Sequence, residues 1–435
     1  MNILIKNAEV ALTGGEIRTE KNRYIGIKDG YIDFVTGPED TPKDFKADKI
    51  INGKNRLVMP GLVNAHTHSS MTLLRNYADD LPLHEWLFNR IFPAEEKMTG
   101  EDIYWGTMLG IAEMIKSGTT AFADMYLQMD YVAKAVIETG IRANLSRSPM
   151  VIKSDKDHSL IDESQQCFDF FQKYNGISNG RIKASVEIHS AYLFDKPALK
   201  LGADLAKKLG TGIQIHILET MKEREDTIAK YGKNALEVCL ECGVLDVPVI
   251  AAHCVHMDDN DIDILAQKKV SVAHNPTSNL KLGSGIAKIP QIAEKGVNIC
   301  LGTDGASSNN NLNMFEEMHL AALIHKGSNM DPSIISAAEV IKMGTLNGAK
   351  ALGWGDTLGQ ITKGMKADII MLDIDKPHFY PLNNAASSIV YSAQGSDVDT
   401  VIIDGKVVME GRKLTTIDEE LVKYKALRAS ENITA

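Results

Sequence analysis

Eight short apolar runs, separated by segments with helical periodicity, restrict the fold of this chain more than any other feature of its sequence. Strands that alternate with helices pair in parallel, because each helix carries the chain back to the same end of the sheet. Eight such units over about 300 residues predict an α/β fold, a closed (β/α)8 barrel. The predicted strands end near His66, Asp124, Arg147, His189, His216, His253, His274 and Asp304.

Polar residues at the predicted strand ends support this fold. In a (β/α)8 barrel the chemistry lies at the carboxyl ends of the strands and in the loops that follow them. Each of the eight predicted ends carries a His, an Asp or an Arg. The pattern of elements and the type of residue at each end therefore agree.

The first predicted strand covers residues 57–65 and is followed by His66 and His68. Side chains two residues apart on a strand point the same way, so both imidazoles can bind one metal ion. A His-x-His pair also occurs by chance, and it gains weight here from polar residues at other strand ends: His216, His253 and Asp304. Such a set suits Zn²⁺ or a similar divalent ion with an open position for water.

Three residues near these ends are candidates for acid–base chemistry. Glu219 lies three residues beyond His216, so the chain must turn before the carboxylate of Glu219 can act on a metal-activated water. The alternative is that Glu219 is a surface residue. His253 is expected to bind the metal or to donate to its water, whereas His256 belongs to a loop. Asp304 can bind the metal and accept a proton, although Asp-Gly is usually a turn. Because His189, and not a lysine, ends the fourth strand, we expect one metal and no carboxylated-lysine bridge.

Both ends of the chain are rich in short predicted strands. Asp29-Gly30 and Asp404-Gly405 each separate two apolar runs and predict hairpins. We expect one small β-sandwich domain built from both termini, because isolated hairpins are marginal in water; two independent sheets are the alternative. The predicted boundaries are 1–56 and 356–435 for the β domain and 57–355 for the barrel.

Local signals predict two helix starts and one loop. Thr99 can cap a helix that runs from Glu101 towards Lys116. Asp331-Pro332 is expected to open another helix, with the proline in its first turn. Residues 278–283 are expected to form a loop across the mouth of the barrel.

Charge and composition argue against several classes of function. The net charge of −10 disfavours a nucleic-acid surface, which needs a basic patch. We find no run of about 18 apolar residues for a membrane span and no signal-peptide pattern. Five widely spaced cysteines fit reduced thiols, and Cys239-x-x-Cys242 lacks a second pair for a zinc site. We therefore expect a cytoplasmic protein.

The strand-end residues resemble those of the amidohydrolase superfamily: His66-x-His68, His216-x-x-Glu219, His253 and Thr303-Asp304. Within it, residues 60–68 and 274–282 resemble the 5-methylthioadenosine/S-adenosylhomocysteine deaminases, and the resemblance covers nearly the whole chain. It implies one divalent metal ion, usually zinc, held by His66, His68, His216 and Asp304. Fe²⁺ is the alternative, because His and Asp ligands do not separate the two ions.

The resemblance also implies the reaction, hydrolytic deamination of an adenine ring to an inosine analogue and ammonia by a metal-activated water. Glu219 would pass a proton to the ring nitrogen beside the attacked carbon. Asp304 would take the other proton of the water, and His253 would polarise the hydroxide. Glu219 and Asp304 would thereby also contact the substrate.

Four further positions match substrate contacts of the family. Glu95 matches a carboxylate that holds the ribose hydroxyls, with Glu96 as its rival, and Trp86 matches an aromatic wall. Arg147 and His189 match polar groups at the third and fourth strand ends. From the residues alone, Glu95 is a surface carboxylate, Trp86 a core aromatic and Arg147 part of a surface ion pair.

One departure from the family bears on the substrate. Some relatives place a second arginine in the loop after the one that Arg147 resembles, where it grips the carboxylate of the homocysteine tail. Residues 151–159 hold lysines and no arginine here, and lysine lacks the bidentate grip. We therefore favour methylthioadenosine or adenosine over S-adenosylhomocysteine.

Alternatives remain at two levels. The same chemistry could act on guanine or a triazine, and the barrel could be a non-catalytic binding protein, although such relatives typically lack the metal ligands. The His-x-Glu and Pro-Cys-x-x-Cys pattern of nucleic-acid deaminases is absent from the sequence. We expect a nucleoside substrate, no nucleic-acid or membrane partner, and a homo-oligomer. The preferred substrate, the metal and the oligomeric state stay open.

Overall fold

The computed structural model describes residues 1–13, 17–152 and 159–435. The described residues form these strands: β1 Ile3–Leu12, β2 Arg18–Lys28, β3 Tyr31–Thr36, β4 Lys49–Asn52, β5 Arg56–Pro60, β6 Leu62–Thr67, β7 Thr119–Met125, β8 Arg142–Arg147, β9 Met150–Ile152, β10 Leu160–Asp162, β11 Ile182–Ser190, β12 Ile213–Ile217, β13 Val249–His253, β14 Ser271–His274, β15 Asn298–Leu301, β16 Ile369–Asp373, β17 Val398–Ile403, β18 Lys406–Glu410 and β19 Lys413–Leu414.

The longer α-helices, of six residues or more, are Gly100–Lys116, Met129–Thr139, Ser164–Tyr174, Lys196–Leu209, Met221–Tyr231, Ala235–Glu241, Asp259–Lys268, Pro276–Lys281, Ile289–Glu294, Met314–Asn329, Ala337–Lys342, Ala385–Tyr391 and Glu419–Thr434. No helix in the described ranges is long and apolar enough to cross a bilayer. All five cysteines are unpaired, and Cys239 is buried in its helix.

Eight parallel strands form the predicted barrel. Their order is β6-β7-β8-β11-β12-β13-β14-β15, so each strand lies beside the next barrel strand in the sequence. The last strand returns to the first, where the backbone N–H of Asp304 donates to the carbonyl of His66 over 2.9 Å. The barrel is therefore nearly closed, and the fold predicted from the eight apolar runs is confirmed.

The helices between the strands bury one face against the barrel. In the helix Lys196–Leu209 the buried positions include Leu199, Ala203 and Ala206, at the spacing of one helical face. Asp195 caps its first turn by accepting from the N–H of Ala198 over 3.0 Å. This packing covers the outside of the strands, which explains why a strand such as β7 is buried along its whole length.

Both termini contribute to a second, mixed sheet of nine strands. Its order is β19-β18-β17-β16-β5-β1-β2-β3, with β4 beside β1. The sheet folds back on itself, since Tyr31 of β3 pairs with Lys366 just before β16. It encloses its own apolar core, which includes Ile5, Ile27 and Ile369. The predicted β domain from both termini is confirmed, while the boundaries 1–56, 57–355 and 356–435 stay predictions.

The two predicted hairpins are present in this sheet. Asp29 and Gly30 have φ of 52° and 84° between β2 and β3, and Asp404 and Gly405 have φ of 49° and 71° between β17 and β18. Positive φ at both central residues is the signature of the type I′ turn. The sequence signal and the backbone therefore agree at both sites.

The single strand predicted over residues 57–65 is wrong. The chain changes sheets at Gly61: β5 pairs with β1 and β16, whereas β6 begins the barrel. The N–H of Gly61 donates to Asp368 and that of Leu62 to Gly118, each over 3.0 Å. A Cβ atom on Gly61 would lie 2.0 Å from Oγ1 of Thr120. Leu62 and Val63 continue the apolar run of β5, so the pattern of residues could not reveal the change of sheet.

Of the two predicted helix starts, one is confirmed. Thr99 caps the helix Gly100–Lys116 in a reciprocal box with Asp102. The other start is wrong, because Asp331 instead accepts from the N–H of Ser333 in a turn, and the helix begins at Ala337 after a box formed by Ser336 with Glu339. The loop predicted at residues 278–283 is also wrong in part, since Pro276–Lys281 is a short helix.

A buried ion pair joins the barrel to the terminal sheet. Arg142 of β8 donates through Nε and one terminal nitrogen to the two oxygens of Asp368, each over 2.9 Å. The side chains are 1% and 3% exposed. Asp368 also accepts from the backbone N–H of Asp404 over 2.8 Å. The two units are thus linked by a desolvated, fully hydrogen-bonded pair.

Candidate active site

Four side chains that the sequence singled out converge at the mouth of the barrel. His66 and His68 come from the end of β6, His216 from β12, and Asp304 from the turn after β15. Nε2 of His66 and of His68 lie 3.5 Å and 3.2 Å from Oδ1 of Asp304. Nε2 of His68 lies 3.3 Å from Nε2 of His216. The ligand atoms thus surround one point, as a single metal ion requires.

Backbone contacts fix the imidazoles in the tautomer that a metal needs. Nδ1 of His68 lies 2.6 Å from the carbonyl of Met125, and Nδ1 of His216 lies 2.8 Å from that of His189. A carbonyl oxygen can only accept, so Nδ1 carries the proton and the Nε2 lone pair faces inward. Nε2 of buried His66 finds no hydrogen-bond partner among the described residues. These residues therefore fit a divalent cation with N and O ligands.

Burial and proximity split the pKa values of this cluster. Burial lowers the pKa of His66 to about 4 and also lowers that of His216. Burial acts against the charge of Asp304, but its close contacts with the imidazoles of His66 and His68 outweigh this and hold its pKa well below the usual range. Burial likewise lowers the pKa of His68, and the contact with Asp304 raises it to about 9. A metal ion at this point therefore competes with a proton on His68.

Glu219 reaches the same point after a sharp turn of the chain. Strand β12 ends at Ile217, and Leu218 has φ of 49°. The carboxylate of Glu219 is buried, lies 3.7 Å from Nε2 of His253 and accepts from the hydroxyl of Ser284 over 3.2 Å. Burial raises its pKa. The turn that the three-residue spacing required is thus present.

His253 and Asp304 both stand in the left-handed region of the backbone. Their φ angles are 72° and 63°, which swing each side chain over the barrel mouth. Nδ1 of His253 lies 2.8 Å from Oδ1 of Asn279. An amide oxygen can only accept, so Nδ1 of His253 carries the proton. With Nδ1 held by Asn279, Nε2 of His253 faces the centre of the site. His66, His253 and Asp304 form a second group with ligand atoms within 4.8 Å, which keeps His253 as a rival ligand. His256 lies in a loop and contacts the carbonyl of Ser284.

Several residues that hold these groups were not found from the sequence. Oδ2 of Asp304 accepts from the hydroxyls of Ser278 and Ser308 over 2.7 Å and 3.0 Å. Asn279 orients His253, and the carboxylate of Glu223 binds two backbone N–H groups at Glu219. The partners of Ser278 and Asn279 lie 26 residues away, and no motif marks the short-range contacts of Glu223 and Ser308. Ser278 and Asn279 belong to a stretch that the sequence analysis treated as a loop.

A cavity of about 470 Å³ opens above this cluster, a size suited to a small organic ligand. Trp86, Glu95, Arg147 and His189 line it, together with the acid–base residues described above. Glu95 is buried, and burial raises its pKa to about 7, whereas Glu96 is exposed. Oε1 of Glu95 and Nε1 of Trp86 have no hydrogen-bond partner within the described ranges. Both polar atoms are thus available to a ligand.

Arg147 and His189 stand on neighbouring strands of the cavity wall. Arg147 forms ion pairs with Asp130 and Glu163 over 3.1 Å and 3.2 Å, and its side chain is 20% exposed. It is therefore both a cavity residue and part of an ion-pair cluster. Burial lowers the pKa of His189 to about 3, so its imidazole is neutral at pH 7. Lys153 and Lys156, which belong to the segment that lacks a second arginine, lie outside the described residues.

Glu187 of β11 is a buried cavity residue that the sequence analysis missed. Burial raises its pKa to about 8, and its Oε2 makes no hydrogen bond to any described residue. A signal for it existed: Ser185, Glu187 and His189 alternate with apolar residues along the strand. With a period of two, an inward-facing His189 places Glu187 on the inner face as well.

Three imidazoles and a carboxylate surround one point at the strand ends of the barrel, and Glu219 and His253 lie beside them. This arrangement defines a metal-dependent hydrolase. The model of the amidohydrolase family matches residues 57–408, and the chain belongs to this family. The resemblance predicted from the strand-end residues is confirmed.

Proteins of known name resemble the whole chain. It is 60% identical over 433 residues to the 5-methylthioadenosine/S-adenosylhomocysteine deaminase of Acetivibrio thermocellus, with 100% of both chains covered. It is 48% identical to the protein of the same name from Thermoanaerobacter pseudethanolicus, over 100% of this chain and 99% of the relative. A zinc-bound adenosine deaminase from Xanthomonas campestris has a TM-score of 0.93 and 31% identity, over 99% of this chain and 98% of the other.

Proposed function

We propose that this protein deaminates adenosine-type nucleosides by hydrolysis, converting 5′-methylthioadenosine, S-adenosylhomocysteine or adenosine to the inosine analogue and ammonia. The observation that carries the proposal is the pair of carboxylates at the cavity floor. Burial raises the pKa of Glu219, whereas contacts with His66 and His68 hold that of Asp304 well below its usual range. Two carboxylates whose environments push their pKa values apart suit the acid and base roles of one reaction.

Each residue of the site has a role in this proposal. Glu219, with its raised pKa, carries a proton to the ring nitrogen beside the carbon that loses its amino group. Asp304, kept ionised, accepts a proton from the attacking water. His253, held through Nδ1 by Asn279, points Nε2 at the same point and polarises the attacking oxygen.

A divalent ion held by His66, His68, His216 and Asp304 would supply a water of lowered pKa. We propose zinc, with Fe²⁺ as the alternative, because three imidazoles and one carboxylate suit either ion. The zinc-bound adenosine deaminase supports the first choice.

The remaining cavity residues bind the nucleoside. Glu95, buried and with a free Oε1, accepts from the ribose hydroxyls, and Trp86 packs against the ligand. His189 is neutral and contacts the base or sugar edge, and Arg147 borders the far wall. We propose a cytoplasmic homo-oligomer, which size-exclusion chromatography with light scattering tests; a monomer would overturn the second part.

Ammonia release tests the proposal directly. We expect the purified, metal-loaded protein to release ammonia from methylthioadenosine and adenosine, and Glu219→Gln to lower kcat by about 10²- to 10⁴-fold at unchanged metal content. Near wild-type kcat in this variant would remove the proton-transfer role. Turnover of guanine or a triazine alone would keep the metal site and overturn the nucleoside assignment of Glu95 and Arg147.

A further inference from the structure

The only lysine or arginine among the described cavity-lining residues, Arg147, already has its charge compensated. One terminal nitrogen of its guanidinium lies 3.1 Å from Asp130, and the other lies 3.2 Å from Glu163. Asp130 in turn accepts from Lys173 and from the hydroxyl of Tyr174, each over 2.9 Å. Two cations and two carboxylates thus balance in one cluster.

The surrounding backbone fixes both carboxylates in place. Asp130 lies in the first turn of the helix Met129–Thr139, and Glu163 directly precedes the helix Ser164–Tyr174. The N–H of Glu163 donates to the carbonyl of Pro149 over 2.7 Å, two residues beyond Arg147. Contacts with Lys173, Tyr174 and Arg147 outweigh burial and lower the pKa of Asp130, which keeps it ionised. Arg147 is therefore held between two anions before any ligand arrives.

The position of this cluster in the cavity assigns it to one part of the substrate. This assignment rests on the proposed function, in which the purine binds at Glu219 and Asp304 and the ribose binds at Glu95. We assign the 5′ substituent to the part of the cavity wall that holds Arg147 at the end of β8, Met150 in β9 and Glu163 directly after β10, all three of which line the cavity. A thioether methyl finds an apolar contact there in Met150. Among the described residues, a ligand carboxylate meets one guanidinium that is already paired, with the carboxylate of Glu163 beside it.

We propose that Glu163 and Asp130 are specificity-determining residues that make the enzyme discriminate against adenosines with an anionic 5′ substituent. An incoming carboxylate can bind Arg147 only by competing with Glu163, and the two anions repel each other. Specificity of this kind comes from an unfavourable contact with the wrong ligand as well as from a good contact with the right one. Uncharged 5′ thioethers such as methylthioadenosine meet no such penalty.

Three substrates and a matched pair of variants test the proposal. The substrates are methylthioadenosine, S-adenosylhomocysteine and 5′-(3-carboxypropylthio)adenosine, which carries the carboxylate without the ammonium group. A third variant is Asp130→Asn, and the matched pair is Glu163→Gln and Glu96→Gln. Both remove one carboxylate from the cavity lining, but Glu96 is not one of the two residues that hold Arg147.

We expect Glu163→Gln to raise the kcat/KM ratio of the carboxypropyl compound to methylthioadenosine by about fivefold to tenfold, mainly through KM, because the contact is remote from the reacting atoms. Asp130→Asn should shift the ratio in the same direction by less, because Glu163 then still pairs with Arg147. Glu96→Gln should leave the ratio within about twofold, since Glu96 is exposed and forms no ion pair with Arg147. S-adenosylhomocysteine should respond less than the carboxypropyl compound, because its tail also carries an ammonium group that Glu163 attracts.

The outcomes separate this inference from the proposed function. If wild type turns over methylthioadenosine but Glu163→Gln and Asp130→Asn both leave the ratio unchanged, the discrimination does not come from this cluster and the inference fails alone. A wild type that uses the carboxypropyl compound as well as methylthioadenosine also overturns it. If wild type deaminates none of the three, the proposed function fails, and the inference fails with it. Melting temperatures confirm that each variant is folded.

Discussion

At the scale of single residues, the site depends on groups that touch neither metal nor ligand. Glu223 is the clearest case: its buried carboxylate accepts from the N–H groups of Leu218 and Glu219 over 3.0 Å and 2.9 Å. Those two bonds fix the turn that aims Glu219 at the barrel mouth. Burial raises the pKa of Glu223 to about 7. It is thus a positioning residue.

The variant Glu223→Gln tests this role. The amide offers one oxygen in place of two, so one backbone N–H loses its partner and Glu219 shifts. We expect kcat for methylthioadenosine to fall about tenfold with a smaller change in KM and full metal content. Glu225→Gln, at an exposed position of the same helix, is the control. Wild-type kcat in Glu223→Gln would show that the turn holds without it.

The candidate ligands could be predicted because residue type and strand period point to the same place. His66, His68, His216 and Asp304 each end an apolar run, and a barrel brings such ends together. The residues that orient them could not be predicted, since Asn279 and Ser278 act across 25 or more positions on a neighbouring strand end. Such pairings exist only once the barrel is closed.

At the scale of elements, a buried carboxylate joins three segments around the site. Glu317, on the helix Met314–Asn329, accepts from the N–H of Thr277 over 3.2 Å and from Nδ2 of Asn309 over 2.7 Å. It thereby links the short helix that carries Ser278 and Asn279 to the segment after Asp304. Burial raises its pKa from 4.5 to about 7.

This shift gives a pH dependence with a defined sign. The folded state binds the proton of Glu317 more tightly than the unfolded state. The contribution of Glu317 to the free energy of unfolding therefore decreases as the pH rises from 4.5 to about 7, and it is constant above that range. Glu317→Gln cannot ionise. We expect its free energy of unfolding, relative to wild type, to rise by up to about 3 kcal/mol over that window. Urea unfolding at several pH values measures it, with exposed Glu316→Gln as control. A difference independent of pH would contradict the prediction.

Prediction from the sequence was least secure where elements begin and change partners. The helix start at Thr99 could be predicted because its capping box is local. The second helix has a local capping box at Ser336, but its start was predicted at Asp331-Pro332, which forms a turn. The break at Gly61 could not be predicted, since Leu62 and Val63 continue the apolar run of β5 beyond it. Which sheet a strand joins is decided by tertiary contacts.

At the scale of the whole molecule, one buried ion pair connects the barrel to the terminal sheet. Removing its acid by Asp368→Asn would leave the buried guanidinium of Arg142 with only one ion pair among the described residues, the longer contact to Asp404 over 3.9 Å. We expect a loss of about 3 kcal/mol in unfolding free energy, because removing one partner of a buried ion pair is strongly destabilising. The folded fraction should keep wild-type kcat, since the pair is remote from the cavity.

A half-exposed pair supplies the control for this measurement. Arg56 and Asp373 lie 2.8 Å apart with side chains 23% and 29% exposed. Asp373→Asn should lower stability by at most about 1 kcal/mol. Equal losses in the two variants, measured by chemical denaturation, would show that burial does not set the strength of the Arg142 pair.

The terminal sheet also has a consequence for the order in which the protein is made. Strand β5 is paired on one side by β16, with Pro60 opposite Ile369. The ribosome must therefore add roughly 300 residues, which takes about 15–60 s at 5–20 residues per second, before this partner exists. During synthesis the N-terminal strands stand with an open edge while the entire barrel emerges. The nascent chain thus has a long interval in which that edge must be shielded from other chains.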